Sequence, residues 1–170
     1  MTSFVALLRG VNLGKRQLKM EDLRRIATDL GLDYARTYIA SGNLLFRSGK
    51  SESALKKRLE AALAEHMGAP VGVMTRTAEE LAGVVAANPF ANEAQNFVVT
   101  IFLDDAPGEG VLGAAKNVAS ERMEVGKREI YVHYPRGQGQ SGLRIPAAEA
   151  GTARNMNTVR KLAELAREMT

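Results

Sequence analysis

The chain contains no cysteine and no tryptophan, only 5% of its residues are aromatic, and proline occurs five times. Without cysteine there are no disulfides, no thiolate zinc sites and no thiol nucleophile. No apolar run approaches the roughly 18 residues that a membrane-spanning helix requires. The opening "MTSFVALLRG" has no basic region ahead of a cleavable apolar core. These absences point to a soluble, cytoplasmic protein with no membrane contact.

What is present is enough to build a core. The 170 residues are 45% hydrophobic and 25% charged, with a formal charge of +4. Residues 1–90 hold 13 Lys and Arg against 9 Asp and Glu, whereas residues 91–170 hold 10 of each, so the whole excess lies in the first half. Such an excess invites a nucleic-acid reading. However, Lys56, Lys57 and Arg58 fall within a helical stretch and read as solvent charge.

The first half alternates strand and helix signals. "SFVALLRG" is a short apolar run, and "KMEDLRRIATDLG" repeats apolar residues at helical spacing up to Gly31. "YARTYIA" and "NLLFRS" flank Ser41 and Gly42, which suit a tight hairpin turn. "SESALKKRLEAALAEHMG" is a second helix, and "VGVMT" a fourth strand. The order β-α-β-β-α-β is that of the ferredoxin-like unit. Thr77 and Glu80 form a capping box at the start of a third helix, which "NPF" ends at Pro89.

The second half repeats β-α-β-β more weakly. "NFVVTIFL" is a buried strand, residues 111–119 a weak helix, and "ERMEV" and "EIYVHYP" a hairpin around Gly126 and Lys127. No fourth strand and no residue-level repeat are legible. The stretch "GTARNMNTVRKLAEL" reads as the polar opening of a final helix. The expected fold is α+β, with a ferredoxin-like subdomain over 1–76. A second, incomplete one covers 77–170 and includes the C-terminal helix.

This topology sets two loops side by side. Strands one and two of a ferredoxin-like unit run parallel with strand three between them. The end of strand one therefore shares a sheet edge with the turn joining strands two and three. Arg9 and Asn12 thus meet Ser41 and Asn43, donors of the kind that hold phosphate or carboxylate. Arg154, Asn155 and Asn157 surround a helix start, where free N–H groups favour anions. Each group also has a plain reading: Asn and Ser are ordinary turn residues, and Asn155 or Asn157 can simply cap the helix.

Other motifs fail. "GVNLGKR" lacks the spacing of a phosphate-binding P-loop and has Arg16 where the magnesium-binding hydroxyl belongs. "RGQGQSG" reads as a flexible connector. His66 and His133 have no partner at metal spacing, and Asp104 and Asp105 point to opposite faces of a strand. No nucleophile with a paired base, no metal site and no cofactor motif is legible. An RNA-binding plait would need stacking aromatics, but Phe46 is the only one on strand three.

Taken together, "LLRGVNLGKRQLKMEDLR", "RTYIASGNLLF", "ANPF", "EIYVHYPRGQGQSGL" and "TARNMNTVRKLAEL" closely resemble the bacterial family known as domain of unknown function 1697. The resemblance covers essentially the whole chain and implies two ferredoxin-like subdomains, with no established activity. The family's usual S-R-N-W-N-T is here Ala153, Arg154, Asn155, Met156, Asn157 and Thr158, which removes a hydroxyl and an indole. The expectation is a small binding protein with an anion-accepting cleft formed by Arg9, Asn12, Ser41, Asn43, Arg154, Asn155 and Asn157. A phosphorylated small molecule is its natural occupant. The alternatives are salt-sensitive, sequence-nonspecific nucleic-acid binding through the basic half, and a non-catalytic interaction module whose polar clusters only stitch the fold.

Overall fold

Thr2–Leu8 forms the first strand, β1, as its apolar run demands: Phe4 through Leu8 are all buried. The computed structural model describes all 170 residues and is α+β. After β1 come α1 (Met20–Asp29), β2 (Asp33–Thr37), β3 (Asn43–Ser48), α2 (Glu52–Met67) and β4 (Val73–Thr77). The strands make one antiparallel sheet in the order β2-β3-β1-β4. Leu23, Ile26 and Ala27 of α1 and Leu55, Leu59 and Leu63 of α2 pack with Phe4, Ala6, Leu8, Leu44 and Phe46 as a single core. Ser51 caps α2 by accepting from Ala54 N–H, and Gly68 at φ 70° ends it in the left-handed turn that glycine favours.

The remaining elements are α3 (Ala78–Ala86), β5 (Val98–Phe102), β6 (Arg122–Val125), β7 (Glu129–His133), β8 (Thr152–Asn155) and α4 (Met156–Glu168). The capping box at α3 is reciprocal: Thr77 N–H donates to Glu80 Oε1 and Glu80 N–H to Thr77 Oγ1. The second sheet is also antiparallel, in the order β6-β7-β5-β8. Its core joins Val99, Ile101, Ile130, Val132 and Tyr134 to Leu112, Leu143 and Ile145 from the connecting segments.

The second half differs from its sequence reading in three ways. Residues 111–119 form turns, held by a bridge between Lys116 and Arg144, and no helix. A fourth strand does exist: Thr152–Asn155 pairs with β5, so the polar start assigned to the last helix is an edge strand, and α4 begins at Met156. A residue-level correspondence is also present. Arg76 on β4 pairs with Val5 of β1, and Arg154 on β8 pairs with Thr100 of β5. Each arginine is buried and donates Nη1 to the carbonyl of the residue before it, at 2.9 Å. Each is followed by the residue that caps the next helix, Thr77 or Asn155. Beyond the caps, buried Ala78, Leu81 and Val84 of α3 match buried Met156, Val159 and Leu162 of α4.

The chain divides into two compact units, one of Met1–Leu81 with Leu162–Thr170, the other of Ala82–Lys161. Both α3 and α4 therefore run from one unit into the other. No helix is long and apolar enough to cross a membrane.

Candidate functional site

The expected rim forms within the first unit. Leu8 N–H donates to Gly42 O at 2.9 Å, and Arg9 N–H to Gly72 O at 2.8 Å. The register sets Leu7 opposite Asn43 and Leu8 opposite Val73. Loops 9–19, 38–42 and 68–72 therefore gather at one end of this sheet. The connection from β2 to β3 spans residues 38–42 and is longer than the tight two-residue turn expected at Ser41 and Gly42. Gly42, at φ 90°, sits so close that a Cβ there would lie 2.6 Å from Val11 Cγ2 and 2.9 Å from Leu8 Cβ.

Asn12 is the latch between two of these loops. At φ 57° it occupies the left-handed region, which asparagine tolerates better than most residues. Its Nδ2 donates to Leu18 O at 2.9 Å and to Ala40 O at 2.6 Å, while its Oδ1 accepts from Leu18 N–H at 2.7 Å. Asn43 closes the other loop. It is fully buried, and its Nδ2 donates to Tyr38 O at 2.8 Å and Ser41 Oγ at 2.9 Å. Both amides thus spend their two donor hydrogens on the protein itself. Asn12, Ser41 and Asn43 come together as expected, and what these bonds do is shape the rim.

The charge lies on other side chains. Arg9 is exposed, with its aliphatic stem passing over Gly72, where a Cβ would sit 3.5 Å from Arg9 Cβ. Arg16, which stands where a P-loop would place its magnesium-binding hydroxyl, has a structural role instead. Its Nη2 donates to Pro70 O at 2.6 Å and so ties loop 9–19 to loop 68–72. The three loops carry Arg9, Lys15, Arg16 and Lys19 and not a single Asp or Glu.

Arg154, Asn155 and Asn157 belong to the second unit. Arg154 is buried on β8, where Nη1 donates to Thr152 Oγ1 at 2.7 Å. Burial lowers its pKa to about 10, which leaves it a buried cation at neutral pH. Asn155 caps α4: its Oδ1 accepts from Thr158 N–H at 3.0 Å. Asn157 is exposed on the first turn of that helix. Met156, at the position of the family's usual tryptophan, is fully buried, so this position packs in the core.

A polar knot with no motif in the sequence lies in the second unit, beside the "NPF" that ends α3. Arg122 Nη2 meets Glu93 Oε1 at 2.6 Å, with its guanidinium 5.2 Å from the Phe90 ring centroid. His133 Nε2 lies 3.7 Å from Glu93 Oε2, and its Nδ1 lies 3.4 Å from Arg122 Nη2. An arginine can only donate, so Nδ1 is the accepting side of that contact, and Nε2 faces Glu93. The groups satisfy one another, an arrangement that fixes loop 88–95 against β6 and β7.

The chain belongs to the family described as "Protein of unknown function (DUF1697)", whose profile matches residues 1–131. Among solved structures it is similar to a conserved bacterial protein of Streptococcus pneumoniae, with a TM-score of 0.83 at 23% sequence identity, covering 98% of this chain and 99% of that one. That likeness shows a shared fold. No curated protein matches the sequence.

Proposed function

We propose that this family member binds a phosphate-bearing or similarly anionic small molecule at the basic rim of its first unit. The carrying observation is that three loops meeting at one sheet end hold four cationic side chains and no carboxylate. Loops carrying charge of one sign raise the local concentration of an anion. In this reading Arg9 and Lys15 contact the ligand, Arg16 contributes charge while bracing loop 68–72, and Asn12, Ser41 and Asn43 hold the loops in place. Arg154, Asn155 and Asn157 are assigned to strand and helix structure in the second unit, where the arginine is buried and both asparagines are exposed. We also read both sheets as ferredoxin-like plaits. The order β2-β3-β1-β4 with α1 and α2 on one face supports this for the first unit, and the matching order β6-β7-β5-β8 for the second.

The test is a thermal-shift titration with inorganic phosphate, nucleotides and sugar phosphates. The wild type gains stability with at least one of these, and Arg9→Ala weakens that ligand by about 10- to 100-fold, the worth of one charge-assisted hydrogen bond. No response to any anion in the wild type overturns the proposal. So does tight polynucleotide binding with a steep salt slope and no small-molecule response, which instead marks a nucleic-acid surface.

A further inference from the structure

The second unit contains a separate cavity of about 380 Å³, lined among others by Ser120, Glu121, Tyr134, Arg136, Gln140 and Ser141. Its walls come from the segment entering β6 and the glycine-rich stretch after β7. Glu121 is held rigidly. Its Oε1 accepts from Ala119 N–H at 2.7 Å and its Oε2 from the Ser141 hydroxyl at 2.6 Å, while Ser141 Oγ accepts in turn from Leu143 N–H at 3.1 Å. The Ser141 hydrogen bond, followed by that from Ala119, draws the Glu121 carboxyl below its ordinary pKa, so it is ionised at neutral pH.

No cationic side chain pairs with that carboxylate, and Arg136, exposed on the same cavity, pairs with no carboxylate. Tyr134 is 6% exposed, and its hydroxyl makes no hydrogen bond to the protein. Burial, and then the Glu121 charge, raise its pKa, so it stays a neutral donor. The cavity is therefore lined by a fixed negative group, a free positive group and a tyrosine whose hydroxyl is not engaged by the protein. Its volume is near the low end for ligand sites. A polyanion would meet Glu121 and a polycation would meet Arg136. The complementary ligand is small and carries one charge of each sign.

We propose that this cavity binds a zwitterionic molecule of the α-amino-acid class, with its ammonium on Glu121 and its carboxylate on Arg136. The Tyr134 hydroxyl and the Gln140 amide supply the remaining polar contacts.

The experiment is a calorimetric titration of the whole chain with each proteinogenic amino acid. For any that binds, the N-acetyl derivative, lacking the ammonium, and the carboxamide, lacking the carboxylate, follow. At least one free amino acid binds, and both derivatives of it lose about tenfold or more. Glu121→Gln and Arg136→Gln each weaken it similarly. Because Arg136 is exposed and bonds to nothing in the protein, Arg136→Gln keeps the fold and decides the matter if Glu121→Gln loosens the segment around Ala119. Absence of binding by every free amino acid overturns the proposal, as does binding that survives acetylation, amidation and Arg136→Gln.

Discussion

The side-chain amide of Asn12 donates to the carbonyl of Ala40 at 2.6 Å across 28 positions of sequence, and the same nitrogen also reaches Leu18 O. One side chain therefore sets both the fold-back of loop 9–19 and its distance from loop 38–42. Asn12→Ala removes two donors and the acceptor of Leu18 N–H, and it puts alanine at a φ of 57°. The expected loss is about 1 to 3 kcal/mol, read as a lower urea midpoint with an unchanged slope. Asn12→Asp separates the parts. It restores the acceptor for Leu18 but sets a carboxylate against two carbonyls, so it stays destabilised. If Asn12→Ala unfolds at the wild-type midpoint, the latch contributes nothing.

The close approach of Gly42 to Val11 and Leu8 gives a second, sharper test. A Cβ at 2.6 Å from Val11 Cγ2 and 2.9 Å from Leu8 Cβ cannot be absorbed by side-chain rotation alone, because the second contact is at the base of a buried strand residue. The left-handed backbone adds its own penalty for any residue with a Cβ. Gly42→Ala should cost roughly 2 to 4 kcal/mol, combining overpacking with conformational strain. Gly49→Ala, where an added Cβ meets nothing within 4 Å, is the matched control and should be nearly neutral. Equal thermal midpoints for the two variants would remove the argument that loops 9–19 and 38–42 are packed against each other.

The first unit was legible because its burial follows hydrophobicity. Leu55, Leu59 and Leu63 mark a helix face, and the apolar run of β1 is apolar because both its faces are covered. β8 was not legible for the opposite reason. It alternates buried and exposed residues as a strand should, but the buried ones are Thr152 and Arg154. Period-two patterning was present in burial and absent in hydropathy, so Thr152–Asn155 merged with the helix that follows. The Arg-then-cap correspondence between the units was hidden in the same way. Its cap differs in identity, Thr77 against Asn155, and only the register shows that the positions are equivalent. At the rim, topology placed the loops correctly, yet residue type could not tell a donor offered to a ligand from one spent on a neighbour's carbonyl. Asn12 and Asn43 proved to be the second kind.

Tyr131 offers a test of packing in the second unit through pH. Its hydroxyl donates to Val84 O at 2.9 Å, tying β7 to the C-terminal half of α3, and the residue is 2% exposed. Burial first, and the charge of Glu129 second, push its pKa up to about 12. In the unfolded chain a tyrosine ionises near 10, so below about pH 10 both states keep the proton and the contribution to stability is complete. Between about pH 10 and 12 the unfolded chain ionises first, and the contribution falls by on the order of 2 kcal/mol. Arg154 titrates in an overlapping window with the opposite sign: its folded pKa of about 10 lies below the unfolded value, so relief of its burial cost adds stability as pH rises. Comparing wild type with Tyr131→Phe cancels the Arg154 contribution. At pH 8 the variant should be less stable by about 1 kcal/mol or somewhat more, since Val84 O loses its donor. Urea midpoints taken at intervals up to pH 11.5 should then converge and cross, as the wild type alone gives up the tyrosine contribution, which exceeds the difference at pH 8. Two curves that stay parallel from pH 8 to 11.5 would mean that the Tyr131 hydroxyl is not held neutral by its surroundings.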